Sequence, residues 1–173
     1  MAHEEPCGKL VRRTGAPDSG CLQQAAPHVI HDLFLLRHAW DGRNLRIGWT
    51  LWFITARELM DFFFVYERKQ NKDGRFPDDV LAADYLPGGV WRELATSLQS
   101  EQPTEYPACR TAANKLSTHL RYGRVELAAS GSTPPSLAVH TYLLRVASKW
   151  LGSLHQERRA WLAIEIGPVG RAG

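Results

Sequence analysis

What this chain lacks narrows its chemistry. It has only three cysteines, Cys7, Cys21 and Cys109, and they form no CxxC pair. An odd, scattered set argues against a disulfide framework and places the protein in a reducing cytoplasm. No Gly-rich stretch matches a phosphate loop or dinucleotide fingerprint, no GxSxG elbow is present, and no Cys/His set has zinc spacing. No cofactor and no metal is therefore expected. His28, His31 and His38 share a side of one helix, but no carboxylate is placed on that face, so they read as surface or boundary histidines. Asp78, Asp79 and Asp84 lack the spacing of a calcium loop and read as a solvated turn. The N-terminal MAHEEPCGKLVRRTG has no apolar core of a signal peptide. The most apolar uncharged run, Ile47 to Ala56, is about half a membrane span and leads straight into Arg57, Glu58 and Asp61, so no membrane partner is expected. No convincing run of alternating apolar and polar residues marks a strand.

What remains is the composition of one helical domain. The 173 residues are 44% hydrophobic and 23% charged, enough to bury a core and too apolar for wholesale disorder. The net charge of +3 is unevenly placed. Residues 1–103 carry 12 Lys/Arg against 14 Asp/Glu, a net of −2, and residues 104–173 carry 9 against 4, a net of +5. The basic C-terminal part suits an anionic partner such as RNA.

Residues 1–24, rich in Gly, Pro and charge, read as a mobile arm; 25–167 form the helical domain and 168–173 a tail. Val29, Leu33, Leu36 and Trp40 recur at three- and four-residue steps, predicting a helix over 27–40 that Asp41-Gly42 turns. Leu45 to about Lys69 predicts the longest and most apolar helix, with Arg46, Thr50, Arg57 and Asp61 confined to one arc. Arg57 and Asp61, four apart, can pair along that arc. QNKDGRFPDD, residues 70–79, is a loop. A short piece follows over 80–86, then a short helix marked by Val90, Leu94 and Leu98. Thr104 is placed to cap the next helix, with Pro107 in its first turn and Gly123 at its end. Ser136 can cap a final helix reaching about Gly167. The fold expected is all-α, a bundle of four to five helices around a long hydrophobic central helix.

RTAANKLSTHLRYGR, residues 110–124, carries the densest polar chemistry in the chain. On a helix, Arg110, Asn114, Ser117, Arg121 and Arg124 fall within roughly eighty degrees, a basic strip that is either solvated surface or a phosphate contact. Ala112, Ala113, Leu116 and Leu120 make the arc that faces the core. Lys115, His119 and Tyr122 border the core on the other side. A cation near His119 favours neutral imidazole, the form that can act as a base. A boundary histidine bonded to a neighbouring helix explains the same residues without catalysis.

Three segments together resemble bacterial helical proteins of the HEPN type, in the abortive-infection-like and uncharacterised branches. They are ARELMDFFF (56–64), DDVLAADYL (78–86) and NKLSTHLRYGR (114–124). The resemblance spans roughly residues 28–160. It implies a bundle of four or more helices, often dimeric. It also implies a link to metal-independent RNA cleavage in toxin–antitoxin and phage-defence systems. The family's catalytic signature is an Arg followed within a few residues by a His, often written RNxxxH. The matching hexamer here runs from Asn114 to His119, so the His is in place and Asn114 stands where the Arg is expected. Arg110 lies too far upstream and on the opposite side of the helix from His119.

That departure has a chemical consequence. Attack by a 2′-hydroxyl needs a base for its proton and positive charge for the developing phosphorane. His119 can be the base, but Asn114 brings no charge. Lys115, or an Arg from a second subunit, would have to bring it. The basic strip makes Arg110, Arg121 and Arg124, with Tyr122, the candidate substrate contacts, and the resemblance implies that Arg57, Glu58 and Asp61 lie on a helix whose polar residues face the site. The expectation is an RNA-binding or RNA-cleaving homodimer. The alternative is a catalytically inactive interaction or dimerisation module that binds a protein partner.

Overall fold

The computed structural model describes residues 17–65, 80–87, 89–118 and 135–162. Among them are six α-helices, one short 3-10 helix and no strand. The helices are α1 (Ser19–Asp41), α2 (Arg46–Phe64), α3 (Val90–Gln99), α4 (Tyr106–Thr118), α5 (Leu137–Ser153) and α6 (Gln156–Leu162), with the 3-10 helix Ala82–Tyr85 before α3. The all-α expectation therefore holds. The loop at 70–79, the helix end at Gly123 and the tail at 168–173 lie outside the described residues.

The helix α1 begins inside the stretch expected to be an arm. Asp18 caps it, its carboxylate accepting from the Cys21 N–H at 2.9 Å, and Cys21 and Leu22 are buried. Local chemistry favours Pro27 as a start signal, which sets the expected arm past the true helix start. Pro27 instead sits inside the helix, where the loss of one backbone donor is outweighed by burial of Ala26, Val29, Leu33, Leu36 and Ala39. Asp41-Gly42 does turn the chain, and α2 packs back along α1. Their approach is so close that a Cβ on Gly48 would collide with the Gly42 backbone.

The α2 helix is shorter than expected. It stops at Phe64, where Val65 is extended at φ −90° and ψ 120°, well before Lys69. At 19 residues it is also shorter than α1, which has 23. It packs against α1, α4, α5 and the 3-10 helix, burying Trp52, Phe53, Ala56, Leu59, Met60, Phe62, Phe63 and Phe64. The expected final helix is likewise broken in two. Leu154 turns extended between α5 and α6, and Arg159 reaches back to donate to the carbonyls of Gly152 (2.9 Å) and Leu154 (3.1 Å). A guanidinium at a helix C-terminus satisfies carbonyls that would otherwise lack a donor. Ser136 caps α5 as expected, accepting from the Val139 N–H at 3.3 Å. Thr104 does not cap α4; its hydroxyl donates to the Glu105 carboxylate at 3.1 Å. Pro107 lies in the first turn.

The core is aromatic, and four of its polar tips bond across elements. Trp91 Nε1 donates to the Phe63 carbonyl at 2.8 Å, and Trp150 Nε1 to Ala82 at 3.1 Å. Tyr85 Oη donates to Leu22 at 2.9 Å and Tyr142 Oη to Leu98 at 2.9 Å. Each bond spans elements distant in sequence, so burial of a large ring also fixes where its neighbour lies.

Candidate functional site

Polar chemistry collects where α2 meets α4. Arg57 and Asp61 project from α2 one turn apart, and Arg110 and Asn114 from α4, also one turn apart. On α4 the apolar side, Tyr106, Cys109, Ala112 and Ala113, is buried, which leaves Arg110 and Asn114 at the border facing α2. There the two polar arcs meet. Arg110 Nη2 donates to Asp61 Oδ1 at 2.6 Å. Arg57 Nη2 lies 3.6 Å from Asp61 Oδ2. Arg57 Nη1 reaches Glu58 at 3.2 Å, and its Nε donates to Asn114 Oδ1 at 3.1 Å. All three guanidinium nitrogens of Arg57 are therefore engaged, and Asp61 places one oxygen on each arginine.

Water reaches this seam. The side chains of Arg57, Asp61 and Arg110 are 27%, 33% and 36% exposed. Lys115 is exposed on α4 and makes no ion pair among the described residues. Half-exposed pairs of this kind each add about 0–1 kcal/mol to stability, so the seam is a small part of what holds the bundle together. What it does is arrange charge: two guanidiniums, two carboxylates and an amide on one accessible surface, with a lysine nearby.

Helical periodicity puts Arg57 and Asp61 on one arc and Arg110 and Asn114 on another, but does not show that the arcs meet. Arg110 and Asn114 do not form a bare solvated strip; each bonds a side chain of α2. Two polar arcs, each flanking an apolar face on a neighbouring helix, were the signal that could have paired them. His119, Arg121, Tyr122 and Arg124 lie outside the described residues.

A second polar contact went unnoticed in the sequence. His140 is buried on α5, and its Nδ1 accepts from Trp52 Nε1 of α2 at 3.2 Å. Indole nitrogen only donates, so Nδ1 is the acceptor and the proton of neutral His140 sits on Nε2. The ring stacks on Trp40 at 4.6 Å, and Arg43 covers a face of Trp40 at 4.3 Å. Burial pushes the His140 pKa down to about 4; Asp41 works against that shift, while Arg43 and Arg37 reinforce it. Its position in the apolar register Val139, His140, Leu143, Ala147 was the available clue.

Other candidates resolve as structure. Burial raises the Asp32 carboxyl, opposed by His31 and His28, and among the described residues no group of three or more possible ligands could hold a metal. Cys21 and Cys109 are buried, and burial pushes the Cys109 thiol up, which disfavours the reactive thiolate. No described helix is long and apolar enough to cross a membrane. Comparison with family models, with curated proteins and with solved structures returned no match.

Proposed function

We propose that this chain is a HEPN-like helical protein directed at RNA, in which Arg57 brings to Asn114 the charge that the RNxxxH pattern would place on the motif helix itself. The observation that carries this reading is the bond from Arg57 Nε to Asn114 Oδ1 at 3.1 Å. Asn114 stands at the position where the pattern expects Arg, and a guanidinium from the adjacent helix lies against it. Arg57 thus lies, within one subunit, beside the position where the pattern would put its charge, with Lys115 exposed one residue further on.

In the cleaving form of this reading, His119 takes the proton of a ribose 2′-hydroxyl. The 2′-oxygen bonds to phosphorus as the bond to the 5′-oxygen breaks, and the leaving oxygen receives a proton, giving a cyclic phosphate and a 5′-hydroxyl end. Arg57 and Lys115 offset the charge that builds on the phosphorane oxygens. No metal takes part. Arg110, Arg121, Arg124 and Tyr122 would extend contact along the strand. A cytoplasmic homodimer acting in toxin–antitoxin or phage-defence settings fits this chemistry.

The test is cleavage of a mixed RNA pool in EDTA by the wild type, His119→Ala and Arg57→Ala. Loss of cleavage in both variants is the expected result; equal background in all three removes the nuclease. A second reading, a non-catalytic module that binds protein, is favoured by Leu45 and Ile47, which are 65% and 79% exposed where α2 begins. Under it, Ile47→Ser disperses an oligomer seen by light scattering while RNA affinity stays at background.

A further inference from the structure

The polar seam carries one more conclusion, which rests on the RNA reading above. We propose that Asp61 is a built-in competitor for phosphate, a carboxylate that holds Arg57 and Arg110 ready and yields them to a phosphodiester.

The geometry is that of an anion shared between two cations. Asp61 gives Oδ1 to Arg110 Nη2 at 2.6 Å and faces Oδ2 to Arg57 Nη2 at 3.6 Å. The two guanidiniums come from different helices, so a single small anion bridges α2 and α4. A phosphodiester also offers two non-bridging oxygens and prefers guanidinium partners. It can take the same two donors from the solvent side, because all three side chains are about one-third exposed.

The exchange costs little. Half-exposed ion pairs contribute about 0–1 kcal/mol each and are screened by salt, so giving one up for a phosphate contact of similar strength is nearly neutral. The Arg57 side opens first, because its 3.6 Å contact is the longer. Arg57 keeps its place through Asn114 and Glu58 while it does so. Glu58 is a lesser competitor, since it meets Arg57 and not Arg110, and is 52% exposed.

In this role Asp61 opposes binding, the reverse of the usual ion-pair partner. Removing Asp61 should strengthen nucleic-acid binding, not weaken it. The experiment follows a fluorescein-labelled single-stranded RNA by anisotropy over a range of salt, in the full chain. Asp61→Asn should bind about three- to tenfold tighter than wild type, with the slope of log affinity against log salt steeper by about 0.7, as for one added phosphate contact. Glu58→Gln removes the same charge one turn away and should gain less. Adding Arg110→Ala to Asp61→Asn should return affinity to the wild-type level or below. Circular dichroism and a thermal melt confirm that each variant is folded, and Asp61→Ser serves if the Asn variant melts early.

Unchanged or weaker binding by the folded Asp61 variants overturns the proposal and leaves the RNA reading standing. So does an equal gain from Glu58→Gln, which would reduce the effect to net charge. No binding by any protein in the set overturns the RNA reading, and the competitor role with it.

Discussion

The Trp52–His140 contact and the Arg57–Asp61–Arg110 seam both join helices through polar atoms, yet one is sealed from water and the other is open to it. At the first, a neutral imidazole takes a single hydrogen bond among Trp40, Trp52 and Phe53, with His140 only 6% exposed. At the second, full charges sit about one-third exposed and several partners share each group. A sealed polar contact is costly to lose, because the partner left behind cannot turn to water. An open one is cheap to rearrange. The bundle thus separates a junction that fixes packing from a surface whose contacts rearrange at little cost.

The largest expected effect comes from breaking the sealed junction. Trp52→Ala removes a fully buried ring that also packs against Phe53 and Trp40, and should cost about 3–5 kcal/mol by chemical denaturation. Trp52→Phe keeps most of the apolar volume but leaves His140 Nδ1 without its donor, at about 1–3 kcal/mol. A loss as small as that of a surface substitution would mean the junction is not sealed.

Acid tests the same junction from the other side. The unfolded chain protonates its His near the ordinary 6.5, whereas His140 in the fold stays neutral down to about 4. Between those values the unfolded state binds more protons, so the His140 contribution is intact above 6.5 and is lost progressively as pH falls toward 4. Over that window the loss approaches about 3 kcal/mol. His140→Gln should flatten this part of a stability-against-pH curve. An equally steep curve in the variant would assign the acid sensitivity to other groups.

The open seam should barely register in such measurements. Arg57→Ala and Arg110→Ala are each expected to shift stability by about 1 kcal/mol or less, and moderate salt should erase much of even that. A loss of several kcal/mol in either would make the seam a structural clamp and erase the contrast between the two regions.

The helical class was legible because apolar residues recur at helical spacing over Val29 to Trp40 and again through Trp52 to Phe64. Boundaries were less so. Pro27 reads locally as a start, but the burial of Cys21 and Leu22 behind it carries α1 further back. Val65 and Leu154 leave the helical conformation without a Gly or Pro at the break, and the partners that stabilise those ends come from elsewhere in the chain. Trp91 holds the carbonyl of Phe63, and Arg159 holds that of Leu154. The same limit applies to the site. A helical wheel correctly put Arg110 and Asn114 on one arc, but a wheel has no neighbouring helix. That Asp61 would claim Arg110, and Arg57 would claim Asn114, follows only once α2 and α4 lie side by side.

The most direct measurement compares wild type and Arg57→Ala for RNA binding and for thermal stability in the same low-salt, EDTA-containing buffer. If Arg57 stands in for the missing charge of the motif, the variant melts within a few degrees of wild type and binds RNA at least about tenfold more weakly, the scale of a lost charged contact in which the guanidinium meets phosphate. Equal RNA affinity in the two proteins would contradict it.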